Sequence, residues 1–425
     1  LSTELSSNLD APRRALTATL NARLISRVSY LIEAVSKAMQ HLSIQCPLMI
    51  VKGDGTLALA ESVLKRPIET VLSGPAASMV GAKWLSGLDN FLMSDMGGTT
   101  TDLGVLLNGR PKVTEEGADV GGWRTMVRAV DIKTVGLGGD SEVHLGSNGA
   151  ITVGPERAVP ISLLAHIYPE TIQLLQADLD DVDRGGSMHG KFVLLPFGSS
   201  STQSFSTHDM TEREAQVLAK IKVNPQPLRK IADSLPAQKA VVSLRKKGLI
   251  QLATFTPSDA AHVLELQNNW NSQAALMAAQ LLVRFKEMRM PTIELAKAFS
   301  EVVWSETVRV SSHLILDTAW GVPLSNNAVA QAVCKGQTQV GLVKVSMAPT
   351  VPVVAVGGPV KVYYQEVAKR LQCEVVFAQN CDVANAVGAA TGVVSQQVQV
   401  IINGDGSGVF TLLSTVGTQK FLDPQ

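Results

Sequence analysis

The sequence predicts an α/β fold. Two short apolar runs, residues 91–93 and 103–107, flank a Gly97-Gly98 turn, which is the pattern of a β-hairpin. A third apolar run, 351–356, ends in Gly357-Gly358-Pro359 and is followed by helical periodicity over 360–371, which is typical of a strand that leads into a helix. A composition of 45% hydrophobic residues, 4% aromatic residues and 34 glycines fits a sheet built on Val, Leu and Ala.

Length and charge narrow the class of protein. A chain of 425 residues is too long for one ordinary core, so two or three domains are expected. Lys plus Arg and Asp plus Glu both number 37, and this balance predicts no long-range attraction to nucleic acid or to a membrane. The four cysteines (Cys46, Cys334, Cys373 and Cys381) are widely spaced, which indicates reduced thiols. No signal peptide or membrane-spanning apolar stretch is found, so we expect a cytoplasmic protein.

The first ninety residues mainly predict helices and a strand, with little indication of a functional site. Apolar residues at three- and four-residue steps predict a long amphipathic helix, or two, over 10–42. A buried strand over 47–52 precedes Gly53-Asp54-Gly55, which is typical of a simple turn; only the family resemblance given below would place Asp54 near a substrate. Ser73-Gly74-Pro75 begins a helix of small residues, which either packs closely on the sheet or presents N–H groups to a ligand.

The strongest candidate site is the tip of the predicted hairpin. Gly97 and Gly98 let the backbone approach an anion, Thr99 and Thr100 add hydroxyl donors, and two carboxylates at the ends of the segment, Asp95 and Asp102, can hold a hydrated divalent cation. The sequence therefore predicts a loop that binds the phosphates of a nucleotide. The alternative is an ordinary hairpin with a tight glycine turn.

Two further glycine turns follow apolar runs. The first contains Gly136, Gly138 and Gly139, and the next residue is Asp140, whose carboxylate would repel phosphate unless a cation intervenes. The second contains Gly357 and Gly358, which end a buried apolar run and precede a helix. A plain Rossmann-like crossover would show the same strand, turn and helix.

The middle of the chain is less informative about chemistry. An acidic and then serine-rich stretch over 175–207 predicts a linker, and a capping box at Thr211 begins a group of three short helices. These helices end near Arg245, Lys246 and Lys247, which suggests a winged-helix-like module, either a structural insertion or a DNA reader. Helical spacing continues over 256–313, where His262 is expected to be a packed residue.

Residues 95–102, Asp-Met-Gly-Gly-Thr-Thr-Thr-Asp, resemble the second phosphate motif of the hydantoinase A/5-oxoprolinase family, which belongs to the actin, sugar kinase and Hsp70 superfamily of ATPases. Matches at 73–77, 131–139, 357–359 and 384–390 follow the same family in order. The resemblance implies a ribonuclease H-like ATPase domain, and the pattern of the middle of the chain adds a helical, winged-helix-like insertion to it. We therefore expect four segments: ATPase-like 1–205, the insertion 206–255, a helical segment 256–335, and 336–425 with an adenosine-binding turn that the resemblance implies.

The resemblance also implies a function, ATP-dependent hydrolysis of a cyclic amide of the hydantoin or 5-oxoproline type. Asp95 and Asp102 would hold Mg²⁺ or align water, and the three glycine turns would contact ATP. The expected partners are a cyclic amide or ketone substrate and a second, hydantoinase B-like subunit, without nucleic acid or membrane. A nucleotide- or sugar-sensing DNA-binding regulator and a non-catalytic subunit are the alternatives.

Three departures from the family pattern limit what can be transferred. Asp140 stands where many relatives have glycine, and residues 153–160 lack a Gly-Pro-Ala-Cys-Tyr-Gly segment that many relatives carry there. Relatives also carry an amino-terminal domain with its own Asp-x-Gly-Gly-Thr loop, of which this sequence shows no copy. We therefore expect this chain alone to turn over ATP poorly.

Overall fold

The computed structural model describes residues 5, 10–114, 116–146, 149–181, 186–197, 210–287, 292–395, 400–404, 406, 408–414 and 417–422. The helices, numbered in chain order, are α1 (Ala11–His41), α2 (Ala60–Lys65), α3 (Ser73–Ser86), α4 (Ile161–Ile167), α5 (Thr171–Asp180), α6 (Glu212–Lys220), α7 (Leu228–Ile231), α8 (Leu235–Lys246), α9 (Pro257–Val263), α10 (Ser272–Glu287), α11 (Ile293–Trp320), α12 (Ala328–Cys334), α13 (Val360–Leu371) and α14 (Ala384–Thr391). Short 3₁₀ helices span Pro67–Thr70 and Cys381–Val383.

The strands are β1 (Met49–Val51), β2 (Leu57–Leu59), β3 (Phe91–Met96), β4 (Thr101–Leu107), β5 (Arg110–Pro111), β6 (Asp119–Val120), β7 (Trp123–Arg124), β8 (Ile132–Val135), β9 (Ser141–Leu145), β10 (Ile151–Arg157), β11 (Phe192–Leu194), β12 (Gln226–Pro227), β13 (Gln251–Ala253), β14 (Gln339–Val340), β15 (Val343–Lys344), β16 (Val353–Val356), β17 (Val375–Val376), β18 (Ile401–Gly404), β19 (Phe410–Ser414) and β20 (Gly417–Phe421).

The sheet that positions the site joins distant parts of the chain. Within the described residues its strand order is β17-β16-β3-β4-β5, and β8 also pairs with β4. The predicted hairpin is confirmed as the antiparallel pair β3–β4, and β16 runs parallel to β3 on its other side. The α/β prediction is therefore correct, and residues near 95 and 356 become neighbours although the sequence separates them widely.

Apolar burial explains this pairing. The side chains of Phe91, Leu92 and Met93 are buried, as is every residue of β16, so both strands lie inside the main core. Buried residues of α11 and α13 cover the same core, including Tyr363 and Tyr364. Two further cores lie among α4, α5, α10 and α11 and among α6–α8. Removing this apolar surface from water is the main source of stability.

Helices α3 and α14 cross at two glycines. An added Cβ on Gly81 would lie 1.8 Å from the carbonyl oxygen of Ala384, and one on Gly388 would lie 1.8 Å from that of Ala77. The helix backbones are thus in direct contact, which only glycine allows. This crossing unites two of the segments that resemble the hydantoinase A/5-oxoprolinase family, 73–77 and 384–390.

The predicted linker over 175–207 is wrong where the structure describes it. Residues 175–180 belong to α5, whose Leu175 is buried, and Asp178 forms a buried ion pair with Arg229 at 2.6 Å. Strand β11 also lies in this stretch and pairs with β12 and β13. Asp178 is thus part of a charge pair and not of a solvated linker. The serine-rich segment 199–202 lies outside the described residues.

The predicted module after the linker is only partly recovered. The capping box at Thr211 is confirmed, because Thr211 and Glu214 bond reciprocally at the start of α6. Helices α6–α8 share their own core and pack beside the β11–β13 sheet. A winged-helix identity is not confirmed. Among the described residues, no helix combines the length and apolar character needed to cross a membrane.

Candidate functional site

The hairpin tip is closed by backbone bonds. Asp95 and Asp102 stand opposite each other in the β3–β4 ladder, and the Gly97 N–H donates to the carbonyl oxygen of Thr100 at 2.9 Å. The hydroxyl of Thr101 donates to the Leu137 carbonyl at 2.7 Å, which anchors the base of the tip in the core. The tip is therefore held in one conformation, as a preorganised anion site requires.

The second glycine turn packs directly against this tip. The Gly139 N–H donates to the Gly97 carbonyl at 3.2 Å, and the Asp140 N–H donates to the Gly98 carbonyl at 2.7 Å. An added Cβ on Gly138 would lie 2.4 Å from the Gly98 oxygen, so only glycine fits there.

These contacts also orient the peptides of the tip. The carbonyl groups of Gly97 and Gly98 point toward the second turn, whereas the N–H groups of Gly98 and Thr99 donate no hydrogen bond to any described residue. Adjacent backbone donors without a protein partner are what an anion can bind.

The third glycine turn completes the group. Val356 pairs with Asp95 in the parallel β16–β3 ladder, so Gly357 emerges beside the tip. Gly357 has φ +103°, and an added Cβ would lie 2.1 Å from the Met96 carbonyl oxygen. A Cβ on Gly358 would meet nothing within 4 Å, so the next residue faces open space. The tip and the turn at 357 thus share one edge of the sheet.

Gly136 is placed differently from the other predicted glycines. An added Cβ there would lie 2.7 Å from the Cβ of Pro155, so Gly136 packs against β10 and not against the tip. The structure brings together the tip and the turns at 138–139 and 357–358, and its contacts give Gly136 a packing role.

The two carboxylates of the tip lie in a poorly solvated environment. Burial raises the pKa of Asp95, with a further increase from the charge of Asp102, while a Ser78 hydrogen bond lowers it. Burial also raises the pKa of Asp102, against a hydrogen bond from the Thr134 hydroxyl at 2.5 Å. Both ionised carboxylates would be stabilised by a nearby cation.

The donor set suits Mg²⁺ held together with a nucleotide. Among the described residues, no cluster of three or more His, Cys, Asp or Glu side chains is arranged to hold a metal by itself. Mg²⁺ commonly uses one or two carboxylates and completes its shell with water and substrate phosphates, so Asp95 and Asp102 fit this cation.

Two other candidates from the sequence, Asp54 and His262, make local contacts. The Asp54 carboxylate accepts bonds from the Thr56 N–H at 3.0 Å and hydroxyl at 2.6 Å, which is a local turn. His262 is buried, bonded to the Ser258 carbonyl at 2.7 Å and stacked on Trp270, as predicted for a packed residue.

Sequence reasoning missed three residues of the site. Thr134 bonds Asp102, Arg157 pairs with Asp140 at 3.1 Å, and Ser258 packs against Gly139. The sequence predicted that Asp140 would need a cation or a lysine beside it, but nothing in the sequence indicated that Arg157 would supply the positive charge.

Comparison with known proteins shows which family one segment of the chain is similar to. Residues 14–169, which include the tip and the second turn, match the family model described as Hydantoinase/oxoprolinase. This segment of the chain is therefore similar to that family. The chain is 30% identical over 148 residues to caprolactamase subunit alpha of Pseudomonas jessenii, a segment that is 34% of this chain and 21% of that relative. It is 26% identical over 156 residues to an uncharacterized protein of Methanocaldococcus jannaschii, covering 33% of this chain and 23% of the relative.

Solved structures extend the likeness beyond the matched segment. A nucleotide-free structure of acetone carboxylase aligns with a TM-score of 0.55 at 14% identity, covering 94% of this chain and 43% of that chain. The ATP-dependent caprolactamase from P. jessenii aligns with a TM-score of 0.52 at 16% identity, covering 94% and 44%. These two solved structures share the fold, and the chain spans less than half the length of each of these four relatives and solved chains.

Proposed function

We propose that this chain forms the nucleotide-binding part of an ATP-dependent enzyme that activates the carbonyl group of a cyclic amide of the hydantoin or 5-oxoproline type. The observation that supports this most directly is the meeting of three glycine turns and two carboxylates at one sheet edge. Two similar solved structures are those of ATP-dependent enzymes, a caprolactamase and acetone carboxylase.

In the proposed reaction, the γ-phosphoryl group moves from ATP to the carbonyl oxygen of the substrate. ADP leaves, the ring carbon that bears the phosphorylated oxygen becomes more electrophilic, and water adds to it. The ring C–N bond then breaks as the nitrogen takes the proton of the added hydroxyl, and a second water hydrolyses the resulting acyl phosphate to a carboxylate and inorganic phosphate. The Gly98 and Thr99 N–H groups and the Thr99 hydroxyl would bind phosphate oxygens. Asp95 and Asp102 would hold Mg²⁺, which supplies charge neutralisation when bound. Gly357 and Gly358 would leave room for the nucleoside.

Preorganisation is the contribution that the structure makes to this chemistry. The tip is fixed by four hydrogen bonds: Gly97 to Thr100, Gly139 to Gly97, Asp140 to Gly98, and Thr101 to Leu137. Donors fixed before the reaction pay little reorganisation cost as charge develops, and such electrostatic terms are usually the largest in catalysis.

The first experiment is a calorimetric titration of the chain with MgATP, which measures binding. The second is a turnover assay with a panel of a hydantoin, 5-oxoproline and a lactam as substrates. Asp95→Asn and Asp102→Asn should each weaken MgATP binding by roughly tenfold or more, since each removes one charged ligand. Lys37→Gln on the exposed face of α1 is the matched control. MgATP affinity that is unchanged in Asp95→Asn would refute the assignment. Rapid ATP turnover by the chain alone would refute the expectation that it works with further segments or subunits.

The DNA-binding alternative loses its main support. Arg245 bonds Glu142 at 2.7 Å and Lys247 bonds Glu214 at 2.9 Å, so two of the three bunched cations are paired within the chain. Among the described residues only Lys246 of this cluster remains, and binding to a nucleic-acid phosphate backbone needs a broader basic face than one lysine provides.

A further inference from the structure

Asp140 occupies an unexpected place beside the phosphate tip. Its N–H donates to the Gly98 carbonyl, and its Oδ2 atom would lie 2.6 Å from a Cβ on Gly98. The side chain is 13% exposed, so the carboxylate is fixed against the tip rather than directed into solvent. A fixed negative charge is thus built into the place where phosphates are expected.

The charge has a partner on a neighbouring strand. Nη2 of Arg157 lies 3.1 Å from the same Oδ2 atom of Asp140 that faces Gly98. One carboxylate oxygen therefore lies between the tip glycine and the guanidinium group. Arg157 itself is 59% exposed, and its side chain reaches Asp140 from the solvent side.

The backbone brings these two residues together. Ser141 and Arg157 pair across the β9–β10 ladder, and the Ala158 N–H donates to the Asp140 carbonyl at 2.8 Å. The Arg157 carbonyl in turn accepts a bond from Arg245 of α8 at 2.6 Å. The pair is consequently part of a continuous network that runs from the tip to the α6–α8 module.

We propose that Arg157 is a positioning residue that shields the Asp140 carboxylate, so that the tip can accept a polyphosphate. This inference rests on the proposed nucleotide site. Arg157 acts through Asp140, and its value to ligand binding disappears when the Asp140 charge is removed.

Electrostatics give the expected direction. A carboxylate and a phosphate separated by a few ångströms in a partly buried site repel strongly, and a guanidinium bonded to that carboxylate offsets most of this field. Burial raises the pKa of Asp140 while the charge of Arg157 lowers it, which agrees with a poorly solvated charge that depends on one partner. Removing the partner leaves that charge facing the ligand.

The test is a double-mutant cycle on the intact chain, with inorganic tripolyphosphate and MgATP as the probes. Arg157→Gln should weaken binding of both probes by roughly 10- to 100-fold, the range expected for a lost charge-assisted bond. Asp140→Asn should bind both at least as tightly as the natural chain. Adding Arg157→Gln to Asp140→Asn should change affinity by less than about threefold, and Arg157→Lys should restore most of the loss. Lys37→Gln on α1 is the control for a change of net charge alone.

Each outcome decides the matter. The shielding role is supported if Arg157→Gln weakens probe binding only when the Asp140 charge is present, and if thermal unfolding shows that all variants are folded. Equal losses from Arg157→Gln with and without the Asp140 charge overturn it and leave the nucleotide site standing, because Arg157 would then contact the phosphate itself. A natural chain and an Asp140→Asn variant that both fail to bind either probe overturn the proposed function as well.

Discussion

The crossing of α3 and α14 makes the sharpest prediction about stability. A methyl group added by Gly388→Ala would lie 1.8 Å from the Ala77 carbonyl oxygen and 2.7 Å from both the Ala77 carbonyl carbon and the Gly81 nitrogen. All three atoms are backbone atoms, so a side-chain rotation cannot relieve the contact. The helices would have to separate by more than 1 Å, since non-bonded heavy atoms pack best at about 3.5–4.0 Å.

The net effect is the difference between two opposing terms. Alanine in place of glycine favours a helix by up to about 1 kcal/mol. Overpacking a tight contact costs about 1–3 kcal/mol, and a contact with backbone belongs at the upper end of that range. We therefore expect Gly388→Ala to destabilise this helix pair by about 1–2 kcal/mol, although the same change in an isolated helix would stabilise it.

Hydrogen–deuterium exchange measures this locally. Amides of α3 and α14 should lose protection by about 5- to 30-fold in Gly388→Ala, while those of α10 change little. Ala389→Ser, which adds one heavy atom at an exposed position of the same helix, should have a smaller effect. Unchanged or increased protection in Gly388→Ala would show that the two backbones are not in contact.

Three further predictions follow from the site and its surroundings. Gly357→Ala should lower MgATP affinity at least tenfold in calorimetry, because alanine resists a φ of +103° and has no room, whereas Gly358→Ala faces open space and should bind normally. Burial raises the pKa of Asp95 above its ordinary value of 3.8, so stability falls as pH rises from 3.8 through the raised pKa. Asp95→Asn should therefore raise Tm at pH 7, and the gain should shrink as pH falls through the raised pKa and be absent below about pH 3.8. A hydrogen bond from Ser243 helps lower the pKa of Glu214 to about 2, so its stabilisation is present above pH 4.5 and fades as pH falls toward 2; Glu214→Gln should lower Tm at pH 7 and have little effect near pH 2.

Local patterns in the sequence predicted the elements that depend on local chemistry. The helix expected over 10–42 is α1, the hairpin is β3–β4, and the helix expected over 360–371 is α13. Each has a strong period, a glycine turn or a capping residue, and these signals act over a few residues. The linker prediction failed because the partner of Asp178 is Arg229, 51 residues away, and a period or turn signal carries no information about such a partner.

The same limit applies to the site. The sequence marked Gly97, Gly98 and Asp95 because they are adjacent in one motif. It could not show that Arg157 reaches Asp140, because that contact depends on the pairing and irregular register of β9 and β10. It also gave Gly136 the same role as Gly138, since both belong to one glycine-rich run. Tertiary packing separates them by placing Gly136 on Pro155 and Gly138 on the tip.

The sheet connects the part of the chain with a family match to the part without one. The matched segment, 14–169, contains Asp95 and the tip but not Gly357. Residues 353–356 nevertheless pair in parallel with 92–95, and a Cβ on Gly357 would lie 3.0 Å from Oδ1 of Asp95. A turn this close to the tip carboxylate restricts what can occupy the space between them. A substitution at Gly357 should therefore disturb the Asp95 carboxylate as well as the proposed position of the nucleoside. For this reason Gly357→Ala and Asp95→Asn are both expected to weaken MgATP binding.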